Sequence, residues 1–164
     1  VMNGLDVGHK VAVIGAGGIG FDICEFLIHQ GLSTSQNILS FMMEWGIDMS
    51  LKARGGVEGI SPRFKPSPRE VYLLRRKATK LGAGLGKTTG WIHRMDLAKK
   101  GVHMFSSCEY RKIDDQGLHM LKDGKPMVLE VDNVVICAGQ KSQRCRCILS
   151  VEQILLLNLT PKGL

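Results

Sequence analysis

The sequence predicts an α/β domain in three layers, with a mainly parallel sheet and an antiparallel β-meander. Three observations predict this fold. Short apolar, β-branched runs such as KVAVI at Lys10–Ile14 indicate buried parallel strands. Segments with apolar residues at helical spacing come after two of these runs and predict helices, which gives the order β-α-β-α-β. Turn residues then separate three further strands, and the apolar run NVVICA at residues 133–138 predicts a last buried strand.

The first strand and helix enclose a glycine-rich turn. After Lys10–Ile14, residues 21–30 carry apolar side chains at helical spacing, and Gly31 predicts the end of that helix. Residues 37–45 predict a short helix, whereas residues 52–68 are rich in Gly, Pro and basic residues and predict a loop. The 32–69 segment is therefore expected to be an insertion, and a loop of this length is often functional.

The second half of the chain alternates strands with turns. Glu70–Leu74 (EVYLL) predicts the second strand, residues 82–90 (GAGLGKTTG) a second glycine-rich loop, and residues 91–100 a helix closed by Gly101. Further strands are predicted at residues 102–105, 109–113, 117–122 and 126–131. Asp123-Gly124 predicts a tight turn between two of them, and Asp114-Asp115 predicts a hairpin turn and not a catalytic acid pair.

The pattern Gly15-x-Gly17-x-x-Gly20, between a strand and a helix, predicts a Rossmann-like FAD/NAD(P)-binding domain. Gly15 allows the tight turn, Gly17 lets the backbone approach a pyrophosphate, and Gly20 lets the helix pack close to the strand. The helix start offers N–H groups and a partial positive charge to phosphates. The predicted cofactor-binding residues of this turn are Gly15, Ala16, Gly17, Gly18, Ile19 and Gly20. The alternative is a glycine-rich turn without a ligand.

Three basic residues, Arg75, Arg76 and Lys77, follow the second strand. NAD-binding domains place an acid at this point, which accepts a hydrogen bond from the ribose 2′-hydroxyl. Guanidinium and ammonium groups instead pair with a 2′-phosphate, so the sequence favours NADP(H) over NAD(H). In the plain fingerprint this strand end follows the last glycine by about 20 residues. Here the spacing from Gly20 is much longer, so the 32–69 segment must be an insertion. The alternative is a solvated strand end.

Other sites are not indicated. The motif of a P-loop, G-x-x-x-x-G-K-[ST], would require a glycine at position 81, where this chain has Leu81. The histidines have no metal-binding spacing, and His93 beside Arg94 is more typical of a satisfied surface residue than of a phosphate contact. No Ser-His-Asp or Cys-His arrangement is present, so no catalytic and no metal-binding residue is predicted.

Charge and composition limit the other functional classes that the protein could belong to. The formal net charge is +7, and eleven basic residues but two acids lie between Lys52 and Arg94, which suits a phosphate-bearing partner. A basic nucleic-acid-binding protein is the alternative that charge alone favours, but aromatic residues make up only 5% and no recognition motif is present. Five cysteines without CxxC spacing predict reduced thiols and a cytoplasmic setting. No apolar run predicts a membrane span or a signal peptide.

Five stretches resemble the bacterial-type, NADPH-dependent 2,4-dienoyl-CoA reductase family. They are KVAVIGAGGIGFD (10–22), STSQNI (33–38), EWGID (44–48), GLGKTTGWIHR (84–94) and VDNVVICAGQ (131–140). The resemblance implies a parent in which a TIM barrel with FMN and an iron–sulfur cluster is joined to an FAD domain carrying an NADPH domain. Hydride would pass from NADPH to FAD, and electrons through the cluster and FMN to a dienoyl-CoA in fatty acid β-oxidation.

The resemblance also implies roles for individual residues. Gly15, Gly17 and Gly20 would hold the pyrophosphate, and Arg76 and Lys77 would meet the 2′-phosphate, with Arg75 as an additional charge. Ala138 and Gly139, at the return toward the FAD domain, complete the predicted cofactor-binding set.

The resemblance ends near Gln140. The sequence therefore predicts an NADP(H)-binding domain at residues 1–140 and an atypical tail at residues 141–164. The FAD and TIM-barrel domains would be missing partners, so the chain is expected to bind nucleotide as part of a parent oxidoreductase without completing the reaction alone. The alternative from another class is a truncated, non-catalytic remnant.

Overall fold

The computed structural model describes residues 5–139 and the backbone of residues 155–158. Within them the elements follow the predicted order. The strands are β1 (Lys10–Ile14), β2 (Glu70–Leu74), β3 (His103–Phe105), β4 (Cys108–Asp114), β5 (Gly117–Lys122), β6 (Lys125–Leu129), β7 (Asn133–Ile136) and β8 (Leu155–Asn158). The helices are α1 (Gly18–Ile28), α2 (Ile38–Trp45) and α3 (Gly90–Lys99), with short 3₁₀ turns at Thr34–Gln36 and Arg54–Gly56.

The central sheet has the strand order β3-β2-β1-β7-β8, and its first four strands are parallel. β1 lies in the middle, where Val13 is opposite Leu73 on one side and Val135 on the other. Because helices cover one face and the meander the other, Val11, Ala12 and Val13 are fully buried. This burial on both faces explains why the strand sequence is continuously apolar and does not alternate.

Two apolar cores separate three layers. Alternate β1 residues, Val11 and Val13, pack with α1 and with Leu97 of α3. The intervening residues, Ala12 and Ile14, pack with the second sheet, formed by β4, β5 and β6. The predicted three-layer α/β fold, with a parallel sheet and an antiparallel meander, is therefore confirmed.

The turns of the meander have the predicted chemistry. Asp123 and Gly124 both have positive φ, at 50° and 79°, which is the backbone that a two-residue type I′ hairpin turn requires. At the preceding hairpin, the Asp114 carboxylate accepts a hydrogen bond from the Gln116 backbone N–H at 3.0 Å and lies 2.8 Å from Nε2 of His119. Asp114 therefore organises the hairpin.

The 32–69 segment contains the predicted short helix and, over residues 52–68, irregular backbone with one 3₁₀ turn, as the predicted loop requires. α2 begins after Asn37, whose side chain accepts a hydrogen bond from the Ser40 N–H, and it ends at Gly46 in the left-handed conformation. Asp48 accepts hydrogen bonds from the backbone of Lys52 and Ala53, and hydrogen bonding, chiefly from Ser50, lowers the pKa of Asp48 to about 2. The predicted helix at residues 37–45 is confirmed.

One contact within this segment and two contacts to the helices hold it on the helical layer. The Thr34 hydroxyl donates to the buried Glu44 carboxylate, and Nζ of Lys100 lies 3.6 Å from Oε1 of Glu44. Arg69 Nη1 donates to the Leu27 carbonyl over 3.2 Å. Leu27 and Lys100 lie at the carboxyl ends of α1 and α3. Because these helices run back against the parallel strands, the segment lies at the sheet edge opposite the glycine-rich turn.

Several boundaries differ from the prediction. α1 starts at Gly18, inside the glycine motif, and ends at Ile28, before Gly31; the Arg69 guanidinium binds a carbonyl of its last turn. β7 ends at Ile136, although the apolar run continues to residue 138. Within the predicted tail, residues 155–158 form β8, which pairs antiparallel with β7. The rest of the tail, including Cys145 and Cys147, lies outside the described residues. None of the described helices has the length and hydropathy to cross a bilayer.

Candidate functional site

The glycine turn, residues 15–20, connects β1 to α1 at the carboxyl edge of the parallel sheet. Gly15 has a φ of 116°, and its N–H donates to the Leu74 carbonyl over 3.0 Å. A Cβ at Gly15 would lie 2.7 Å from the Cys137 carbonyl oxygen. Both the backbone angle and the close strand β7 therefore require glycine at position 15.

The other glycines of the turn differ in their surroundings. A Cβ at Gly20 would lie 1.8 Å from the carbonyl oxygen of Gly15, so the helix packs directly on the turn. A Cβ at Gly17 or Gly18 would meet nothing within 4 Å, and both residues are exposed. The turn thus presents bare backbone to open space at Gly17 and Gly18. Ala16 and Ile19 direct their side chains into the helix-side core.

The amino end of α1 suits an anion. Gly17 is its N-cap and provides no capping side chain, and the first turn contains no acidic residue. The first N–H groups of a helix have no partner within the helix and carry a partial positive charge. Bare backbone and this charge together are the usual features of a phosphate-binding helix start.

The basic loop, residues 75–80, leaves β2 at the same edge. Ile14 and Leu74 are opposite each other in adjacent parallel strands, so the loop and the glycine turn begin side by side. Arg76 and Lys77 are exposed, and no described carboxylate forms an ion pair with either side chain. Arg75 is half-buried and donates to the carbonyl oxygen of Lys80 over 2.7 Å.

Ala138 and Gly139 follow β7 on the other side of the glycine turn. The Cys137 N–H donates to the Ile14 carbonyl over 2.8 Å, and the Gly15 position approaches Ala138 N closely. Ala138 and Gly139 are exposed. The structure therefore brings all three predicted groups, the glycine turn, the basic triplet and the Ala138-Gly139 pair, to one edge of the sheet.

The second glycine-rich loop has a packing role. Gly82, with a φ of 66°, lies against Phe21 of α1, and a Cβ there would be 2.9 Å from the ring. Arg94 Nη1 donates to the Gly82 carbonyl over 3.2 Å, and Nδ1 of His93 lies 2.7 Å from Glu25 Oε1. His93 and Arg94 therefore connect α3 to α1 and to this loop. His93 is a satisfied surface histidine, as predicted.

The three described cysteines, Cys24, Cys108 and Cys137, are free and buried. Burial raises the pKa of each thiol, to about 11 for Cys137, so all three remain protonated at neutral pH. The described residues also contain no group of three His, Cys, Asp or Glu side chains that could hold a metal ion.

Residues 105–108 support the basic loop, and no local sequence pattern predicts this role. The Arg75 N–H donates to the Phe105 carbonyl, and the Arg75 carbonyl accepts from Cys108 N. Ser107, between them, has a φ of 54°, a left-handed conformation that serine rarely adopts. The Tyr110 hydroxyl in the adjoining strand is buried without a hydrogen-bond partner among the described residues, and burial raises its pKa. The backbone contacts join residues some thirty positions apart, beyond the reach of any local pattern.

Comparisons with known proteins bear on the family and the fold. A family model described as pyridine nucleotide-disulphide oxidoreductase matches residues 2–152. A solved complex of 2-naphthoyl-CoA reductase with 2-naphthoyl-CoA is similar at 19% identity and a TM-score of 0.56, over 84% of this chain and 15% of that chain. This likeness is one of fold.

Two other solved structures match with lower TM-scores. An NAD-dependent persulfide reductase from A. fulgidus has 21% identity and a TM-score of 0.42, over 80% of this chain and 18% of its own. An engineered water-forming NADPH oxidase bound to NADPH has 15% identity and a TM-score of 0.42, over 80% and 21%. The chain thus spans between 15% and 21% of these three proteins.

Proposed function

Because this chain belongs to the pyridine nucleotide-disulphide oxidoreductase family, we propose that it is the NADP(H)-binding domain of a larger flavin-dependent oxidoreductase. Proteins of this family bind FAD and NAD(P)H. The observation that carries the choice of NADP(H) is the exposed pair Arg76 and Lys77, without carboxylate partners among the described residues, beside the bare backbone of the glycine turn.

The residues fit a dinucleotide in two parts. Gly17 and Gly18 have no side chain to obstruct a pyrophosphate, and the α1 N-terminus favours its negative charge. Arg76 and Lys77 supply two positive charges for a 2′-phosphate, with the guanidinium able to donate two hydrogen bonds to it. Ala138 and Gly139 would line the opposite side of the turn. NADPH would supply a hydride to the flavin of the parent protein.

The finer proposal is that the parent resembles 2,4-dienoyl-CoA reductase, because the five stretches named above match that family. FAD, FMN and the iron–sulfur cluster would then be held by the parent's other domains. This chain would bind and orient NADPH without a catalytic residue of its own.

Exposed apolar side chains support a larger parent. Leu32, Ile38, Leu39 and Leu51 are between 62% and 87% exposed, and all belong to the 32–69 segment. Exposed apolar side chains concentrated in one segment would be explained by a neighbouring domain that covers them. The segment lies at the edge away from the glycine turn, so a neighbouring domain on it would leave the proposed nucleotide site open.

Adenosine 2′,5′-bisphosphate and 5′-AMP isolate the proposed 2′-phosphate contact, because they differ only in that group. We expect calorimetric titration to show the bisphosphate binding at least about tenfold more tightly at low salt, with the advantage falling as salt screens the charges. Replacing the exposed Lys52 of the 32–69 segment by Ala, which removes one charge at the opposite edge of the sheet, should leave the ratio unchanged. Equal affinities for the two nucleotides would contradict the proposal.

A further inference from the structure

Arg75 differs from its two basic neighbours in how its side chain is used. Its Nη1 donates to the carbonyl oxygen of Lys80 over 2.7 Å, whereas Arg76 and Lys77 are exposed with no ion pair among the described residues. Its backbone N–H donates to the Phe105 carbonyl over 2.9 Å, and its carbonyl accepts from Cys108 N over 3.0 Å. Arg75 is thus held by three hydrogen bonds within the domain.

The side-chain bond from Arg75 to Lys80 closes a ring around residues 76–79. These four residues form bends and belong to no helix or strand. A backbone hydrogen bond at this loop joins Ser107 N to the Lys77 carbonyl and, at 3.4 Å, is long. Among the described contacts, the Arg75 guanidinium therefore makes the shorter of these two hydrogen bonds, and it closes the loop from which Arg76 and Lys77 project.

We propose that Arg75 is a positioning residue for the 2′-phosphate site and not a phosphate ligand. The proposal rests on the proposed function and changes the role that the sequence suggested for Arg75. A loop fixed before binding loses less conformational freedom when the ligand arrives, so Arg75 increases affinity through Arg76 and Lys77. Since NADH has no 2′-phosphate, this gain applies to NADPH alone.

The test combines nucleotide titration with hydrogen exchange of the ligand-free chain. Arg75→Met keeps the length of the side chain and removes its donors. We expect it to speed loop exchange, read at the Ser107 amide that donates to the Lys77 carbonyl, about tenfold, to weaken NADPH binding about tenfold, and to leave NADH binding and exchange in β1 unchanged. Arg75→Lys, which keeps one donor group, should partly restore both properties.

Arg76→Met is the matched control. It should weaken NADPH binding without changing exchange in the ligand-free loop. Weaker NADPH binding in Arg75→Met with unchanged loop exchange would instead make Arg75 a direct ligand, and unchanged NADPH affinity would remove its role altogether. A wild-type chain without preference for NADPH would contradict the proposed function itself, an outcome distinct from a failure that appears only in the Arg75 variants.

Discussion

A Gly20→Ala chain is expected to lose its native fold, whereas a Gly17→Asp chain is expected to fold and to lose nucleotide binding. The methyl group added at position 20 would lie 1.8 Å from the Gly15 carbonyl oxygen, and both atoms are attached to fixed backbone. α1 would have to move away from β1. The loss of stability should therefore exceed the ~1–3 kcal/mol of ordinary overpacking. Thermal unfolding followed by circular dichroism should show a strongly lowered or absent transition.

Position 17 has the opposite surroundings. A Cβ there meets nothing within 4 Å, and the φ of −92° is open to any residue. Asp is a good N-cap, so stability should be kept, while its carboxylate would repel a pyrophosphate. Gly17→Asn has the same shape without the charge and should bind more strongly than Gly17→Asp. Native-like melting of Gly20→Ala, or wild-type NADPH affinity in Gly17→Asp, would contradict these roles.

Replacing Arg76 and Lys77 together by Ala should remove the preference for NADPH. Charged hydrogen bonds of this kind contribute about 1.5–3 kcal/mol each, which is enough to account for an NADPH preference of at least about tenfold, so the double variant should lose that whole factor in NADPH affinity. NADH affinity should stay within about twofold of wild type, because no 2′-phosphate is present to lose its contacts. Titration followed by nicotinamide fluorescence measures both affinities.

The stability of this double variant should match wild type, since both side chains are exposed and make no described ion pair. Replacing the exposed Lys52 and Lys65 of the 32–69 segment together by Ala, which removes the same two charges at the opposite edge of the sheet, serves as a control for total charge. An equal loss of NADPH and NADH affinity in the double variant would mean that the loop acts on the whole nucleotide and not on the 2′-phosphate.

Most of the fold was predictable because its signals are local. The continuous apolar sequence of β1 reflects burial on both faces, and the Asp123-Gly124 turn requires two positive φ angles that this pair adopts readily. The predicted bounds of β1, β2 and β5 agree with those in the structure. The glycine turn was predictable for the same reason, since Gly15 and Gly20 are required by contacts within or beside one β-α unit.

Other features depend on contacts between distant residues. α1 ends at Ile28, where the Arg69 side chain, 42 positions away in the sequence, donates a hydrogen bond to the Leu27 carbonyl. The location of the 32–69 segment depends on the pairing of Glu44 with Lys100. Arg75, Arg76 and Lys77 are adjacent and all positively charged, so the sequence does not distinguish them. The structure does, because Arg75 makes hydrogen bonds to the distant residues Phe105 and Cys108 and to Lys80 at the far end of its loop.

The most direct test of the assignment is titration of the wild-type chain with NADPH and NADH, followed by calorimetry. We predict saturable NADPH binding, with NADH at least about tenfold weaker, a difference of about 1.4 kcal/mol. That result would show that the glycine turn and the basic loop form a nucleotide site in this chain. Binding of neither nucleotide by the folded chain, or equal binding of both, would contradict the assignment.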